Sequence, residues 1–241
     1  MKSLLALIFP LAVISLLAIS LRTSAYGQSP PAAQGPQISF TFDFPGSSPD
    51  HYSLTVDSSG HSIYTSGKPD SKASSDADSD SSPPSEAPSK YEFTLSDTMR
   101  ARIFDLAKRA DYFKGDLDFG KGRLANTGSK TLTYKDGTRI TQATYNYSNK
   151  PVVQELTRIL QAISATLEFG LRLDYLHRYQ KLALEDQLKQ MEAMARSGQL
   201  EELAAVAPVL KRIADDGTVM NVSRARAERL LAAAKANSTA K

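Results

Sequence analysis

Residues 91–113 read YEFTLSDTMRARIFDLAKRADYF, and residues 129–163 read SKTLTYKDGTRITQATYNYSNKPVVQELTRILQAI. The first segment opens on the alternating run Tyr91 to Leu95, a strand. Ser96 then stands at an N-cap, and Met99, Ile103, Leu106, Ala107 and Ala110 form one helical stripe. Asp97 in the first turn and Lys108 and Arg109 in the last complement the helix dipole. The second segment gives a strand over 129–134, a turn at Asp136-Gly137 and a return strand over 138–147. A helix follows over 151–167, with Asn149 as its cap and Pro151 in a first-turn position where the missing N–H costs nothing. Periods of two and of about 3.6 therefore alternate along one stretch, which is the mark of an α+β fold. Its simplest form is a small antiparallel sheet with two packed helices.

The turn admits two registers. A two-residue loop pairs Tyr134 with Arg139 and Leu132 with Thr141; a three-residue loop with a left-handed Gly137 pairs Leu132 with Ile140. The second places two aliphatic residues side by side and is preferred. Upstream, Ile38, Phe40, Phe42 and Phe44 alternate with polar residues, and residues 51–65 read as a hairpin turning at Asp57-Ser58-Ser59-Gly60. Residues 66–90 lack any large apolar side chain and are rich in Ser, Asp and Pro. They are expected to be a disordered loop inserted between two strands of one sheet. Asp76, Asp78 and Asp80 imitate the start of a calcium loop. Ser81 and Ala87 stand where that loop needs Gly and Glu, which argues against calcium.

Downstream, Gly170 is expected to end the second helix. A longer helix is predicted over 171–196, with a helical stretch over 199–214 that kinks or restarts at Pro208 and a last helix over 221–236. These make residues 171–237 an antiparallel helical C-terminal region, separate from an α+β domain at 37–168. Residues 1–27 carry Lys2, an apolar run over 4–21 and a small-residue cleavage pattern, so they read as a signal peptide, or as an anchor if left uncleaved. Residues 28–36 read as a flexible N-terminus, and the protein as exported, periplasmic or secreted.

The 241 residues carry a net charge of +3 with both signs interspersed, too mixed for a nucleic-acid surface. There is no cysteine, which removes disulfides, thiol catalysis and lipid attachment through cysteine. Three histidines, His51, His61 and His177, lack the carboxylate company of a metal site, and His177 reads as a partly buried, hydrogen-bonded residue. No cofactor is called for. Asp116 and Asp118, spaced i,i+2, are the best acid–base pair available, although solvated loop carboxylates are the simpler reading. Lys121, Gly122 and Arg123 follow Gly120 and offer amide donors and cations for an anion, without the strand–loop–helix frame of a phosphate loop. Arg224, Arg226 and Arg229 give the last helix a basic side, read as a solvated face.

In Tyr52, Leu54, Val56, Gly60 and Tyr64, the pair Tyr112-Phe113, and Thr131, Thr133, Asp136, Gly137 and Pro151, the chain resembles a family of exported bacterial domains of unknown function. Gly46-Ser47-Ser48-Pro49 departs from the Gly-Pro-Cys common there, as does the insertion at 66–90. The resemblance covers residues 51–163 and implies a small α+β fold and an exported setting, with no catalytic residues. Two functional classes follow. The favoured one is a non-catalytic binding or structural module of the cell envelope, whose partner is another envelope protein or a wall component. The other is a hydrolase of an envelope polymer using Asp116 and Asp118. Contact with a membrane is expected only through residues 4–21.

Overall fold

Ile38, Phe40 and Phe42 are all inward and buried, and their strand lies at the centre of the sheet. The computed structural model describes residues 35–67, 89–120 and 125–239, with side chains through Ala236. The strands are β1 (Gln37–Asp43), β2 (His51–Asp57), β3 (His61–Ser66), β4 (Ser89–Thr94), β5 (Ser129–Asp136) and β6 (Arg139–Tyr145). They form one six-stranded sheet in the order β4-β3-β2-β1-β5-β6, with every neighbouring pair antiparallel. The helices are α1 (Asp97–Arg109), α2 (Pro151–Tyr179), α3 (Leu184–Arg196), α4 (Ala207–Asp215) and α5 (Asn221–Thr239). The architecture is α+β, as the alternating periods predict. Ser66 pairs with Ser89, so the insertion does join adjacent strands, but the strands reach into both ends of the expected loop. Residues 68–88, with Asp76, Asp78 and Asp80, lie outside the described residues, as do residues 1–34 with the expected signal segment.

One sheet face is apolar and the other carries hydroxyls. Phe42, Tyr52 and Tyr64 form an inner aromatic run with ring centroids 5.1 and 5.8 Å apart. On the outer face Ser39 bonds Thr55 at 3.0 Å and Thr131 bonds Thr144 at 2.9 Å. α2 lies on the inner face, since the Tyr64 hydroxyl donates to Glu168 at 2.6 Å and the Tyr145 hydroxyl bonds that of Thr157 at 2.5 Å. Burial pushes Tyr145 up to about 12 and raises Tyr52 and Tyr64 further, so all three stay protonated donors. α1 joins α2 through Arg102 and Glu155 at 2.7 Å. Ser96 caps α1 as expected, accepting from the Met99 amide at 3.3 Å.

Neither expected register of the β5–β6 hairpin forms. Asp136 pairs with Arg139, Tyr134 with Thr141 and Leu132 with Ala143, around a two-residue loop of Gly137 and Thr138. Gly137, at φ +56°, supplies the positive φ at the loop's first position. The reason is the inner face: Ala143 and Tyr145 must point inward, which sends Ile140 out to 62% exposure. The helix cap moves as well. With Pro151 at N1 the cap falls on Lys150, whose side chain makes no capping bond, so Asn149 does not fill that role.

Gly170 does not end a helix. α2 continues through it for 29 residues to Tyr179. A Cβ on Gly170 would stand 2.5 Å from Val206 Cγ1, so the glycine permits close packing rather than a stop. The expected helix 171–196 breaks instead at Gln180 (φ −144°, ψ 60°), followed by a 3₁₀ turn at Lys181–Ala183. The stretch expected as a helix over 199–214 is irregular at first, then a 3₁₀ turn (Leu203–Val206), then α4 with Pro208 in its first turn. All described residues belong to one compact unit, and one apolar cluster runs from Ile38 to Ala234. The tail also reaches the sheet side of the molecule. Glu202 accepts from the Ser96 amide at 3.0 Å and the Ser96 hydroxyl at 2.9 Å, and the Tyr91 hydroxyl donates to Ala205 O at 2.9 Å.

Glu192 of α3, only 5% exposed, collects Arg196 at 2.7 Å, Arg226 at 2.5 Å and Arg229 at 2.7 Å. Arg226 bonds Glu185 as well, at 2.8 Å, and Arg224 donates to Ala214 O at 2.9 Å. The three arginines of α5 are thus each bonded to groups of the fold, and Arg229 stays half-exposed, so the basic side is a paired one rather than a bare solvated face. Their bonds hold the Glu192 carboxyl down at about 2, against an ordinary 4.5.

Two outcomes follow from this packing. A chain ending at Gly170 would lose Leu173, Leu176, Val206 and the cap from Glu202, all part of the common core. It should fail to give a cooperative thermal transition, and a folded, monomeric fragment would show that the tail is dispensable. For Glu192, the unfolded state binds more protons between pH 4.5 and about 2, so its stabilisation is complete above 4.5 and lost as pH falls to 2. Replacing it (Glu192→Gln) should cost about 3 kcal/mol at neutral pH by urea titration. The difference from the parent should vanish near pH 2, and a pH-independent difference would contradict the assignment.

Candidate functional site

Lys130 is a charged residue in an inward strand position. β5 alternates Lys130, Leu132 and Tyr134 toward the core, and Lys130 is 7% exposed. Its ammonium donates to Thr127 O at 3.0 Å, Gly128 O at 3.0 Å, Asn146 O at 2.9 Å and the Thr127 hydroxyl at 3.1 Å. The Phe42 ring lies beneath it, 5.5 Å from the nitrogen to the centroid. Burial lowers its pKa from the ordinary lysine value. Three carbonyl oxygens can only accept, however, and satisfying all three takes the three protons of the charged form. No carboxylate within ion-pair distance balances that charge among the described residues.

Asn146, just past β6, is the second organiser. Its side-chain oxygen accepts from the Thr127 amide at 2.8 Å and its side-chain nitrogen donates to Ala125 O at 3.0 Å. Tyr147 follows, 42% exposed yet fixed from two sides. The Phe119 ring meets it edge-on, with centroids 6.2 Å apart and planes at 89°. The Gln154 side chain donates to its hydroxyl at 2.9 Å and to Ser148 O at 2.8 Å.

These groups line an open cleft of about 610 Å³ between the ends of β5 and β6, the first half of α2 and the turn after α3. α2 contributes Gln154, Arg158 and Gln161, which share one face at spacings of four and three. The end of α3 contributes Met194, and the turn after it Ser197, Gly198 and Gln199. Among the described residues the lining contains amides, hydroxyls, two tyrosines and two cations, and no carboxylate. Arg158, half-exposed, is paired with Glu201 outside the lining at 3.4 Å.

The residues singled out in the sequence lie elsewhere. The Asp116 carboxylate accepts from the Asp118 amide at 2.9 Å, and that of Asp118 accepts from the amides of Asn146 at 3.0 Å and Tyr147 at 3.3 Å. Both carboxylates organise backbone, and neither lines the cleft. Asp118 nonetheless supports the site from behind by holding the strand end that carries Tyr147. Lys121, Gly122 and Arg123 lie outside the described residues. His51 Nδ1 meets Asp43 at 2.5 Å on the outer sheet face, and His177 Nε2 meets Asp216 at 2.9 Å, as a partly buried, hydrogen-bonded residue. Among the described residues no group of three potential ligands could hold a metal, and no helix is long and apolar enough to cross a membrane.

Sequence reasoning missed the cleft because its lining comes from four separate stretches. The parity of Lys130 with Leu132 and Tyr134 was the one local signal, since it places a cation on the core face. In comparison with known proteins, no family model matches the chain and no curated protein is similar to it.

Proposed function

We propose that this protein is a non-catalytic binding module of the cell envelope, and that its cleft takes a wall component of glycan type. One observation carries the reading: Tyr147 is exposed at the cleft and held rigid by Phe119 and Gln154. A fixed aromatic ring offers a flat apolar surface to the C–H face of a sugar at little entropic cost. Beside it, Gln161, Gln199 and Ser197 offer the amide and hydroxyl groups that match sugar hydroxyls. Binding is favoured over hydrolysis because cleavage of a glycosidic bond calls for two carboxyl groups across one cleft. The lining has none, and Asp116 and Asp118 are engaged with backbone amides. The apolar run at 4–21 and the small residues after it support an exported setting.

Co-sedimentation of the chain with peptidoglycan sacculi tests this. The parent should pellet with the sacculi, and Tyr147→Ala should weaken binding about tenfold with an unchanged melting temperature, since the ring is a surface group. Absence of binding by the parent, or equal binding by the variant, would remove the proposal.

A further inference from the structure

We propose that the ligand of this cleft carries a carboxylate, received by Arg158 in the positive field of Lys130. This rests on reading the cleft as a glycan site and narrows the glycan to an acidic one. The charge inventory of the lining is one-sided: two cations and no carboxylate, in a chain with 29 basic and 26 acidic residues.

The two cations play different parts. Lys130 has every proton engaged by oxygens of Thr127, Gly128 and Asn146. It therefore acts on a ligand through its charge rather than through a bond. Dipoles of neutral acceptors hold that charge without cancelling it, and in a partly enclosed cleft its field is screened less than at an open surface. Arg158 is the group that can touch. Two of its nitrogens reach one oxygen of Glu201, both at the long distance of 3.4 Å, and the side chain is half-exposed. A guanidinium has five N–H donors in a planar fork, so it can accept a second carboxylate in bidentate geometry. Its place on α2, one turn beyond Gln154, puts it on the same helix face as the amide that fixes Tyr147. A sugar ring on Tyr147 would so have its acidic substituent directed to the cationic side of the cleft.

The test is calorimetry on the full chain with two probes of equal length: a neutral N-acetylglucosamine tetramer and a galacturonate tetramer. At about 0.05 M salt the acidic tetramer should bind about tenfold more tightly, and at about 0.5 M salt the preference should collapse. Arg158→Gln should abolish the preference, weakening the acidic tetramer about tenfold more than it weakens the neutral one. Lys130→Met should reduce it as well, and because that lysine is buried, its melting curve is recorded alongside; if it does not fold, Arg158→Gln decides alone. Equal binding of the two tetramers, or a preference untouched by Arg158→Gln, overturns the acidic ligand and leaves the glycan reading in place. Binding of neither tetramer overturns both.

Discussion

The close approach of Gly170 to Val206 is the constraint on which the rest of the molecule depends. α2 rises about 1.5 Å per residue, so its 29 residues extend about 43 Å, longer than one small sheet can cover. Its first half packs on the sheet through Leu156, Ile159, Leu160 and Ile163, and its second half carries Leu173 and Leu176 into the tail. A side chain at position 170 would hold Val206 away and separate the two halves of the core. With glycine there, the 3₁₀ turn at Leu203–Val206 seats against α2, and Glu202 beside it reaches the start of α1. Glu202 adopts a left-handed conformation to do so (φ 57°), a strain of about 1 kcal/mol for a non-glycine residue. Two hydrogen bonds to Ser96 offset it. A cap that helices ordinarily find three residues away is here supplied from 106 residues away.

The same economy governs charge in the tail. Arg196, Arg226 and Arg229 converge on Glu192, and His177 and Lys181 converge on Asp216, at 2.9 and 2.6 Å. Asp216 is held well below the carboxylate range, first by Lys181 and then by Thr218. Each cluster joins helices that are remote in sequence, so a charge that reads as surface is structural. Lys130 is the contrast. It is buried more deeply than any of those arginines, and oxygens of neutral groups alone receive it. Its protons are satisfied, so its burial leaves no unpaired donor. Only its net charge is left without an opposing partner in contact.

What the sequence disclosed was whatever the local period or a neighbouring residue decides. The alternation of Ile38, Phe40 and Phe42, the hairpin at 51–65 and the Ser96 cap all depend on residues within a few positions of one another. Gly170 was misread because a helix-ending glycine and a glycine at a close crossing look alike until Val206 is known to be opposite. The hairpin register was misread because Asp136-Gly137 resembles a loop by itself. Burial of Ala143 and Tyr145 shifts the loop one residue along, to Gly137 and Thr138. The pairing of Arg226 and Arg229 stayed hidden because their partner, Glu192, lies 34 and 37 residues upstream. Asp116 and Asp118 looked like a pair because i,i+2 spacing cannot distinguish two facing carboxylates from an Asp that accepts its neighbour's amide.

The cleft, finally, is a consequence of how β5 and β6 end. Thr127, Lys130 and Asn146 bind one another so completely that the sheet stops in a rigid polar corner rather than in a hairpin loop. Apolar cover over that corner would enclose the charge of Lys130 in hydrocarbon with no opposing charge beside it. α2 accordingly meets it with Gln154, Arg158 and Gln161, while the face it turns to the rest of the sheet is mainly aliphatic, with Thr157 and Glu168 meeting tyrosine hydroxyls. α3 ends at Arg196 and the chain turns at Ser197-Gly198, so among the described residues no helix closes the remaining side. A fold that needed only stability could have continued either strand and filled the gap. Instead a buried lysine, a fixed tyrosine and a row of amides surround an open space, and Asp118 is committed to keeping Tyr147 in place there. That the carboxylate most suggestive of chemistry in the sequence works as a brace for an aromatic platform is the reason to read this corner as a place that binds.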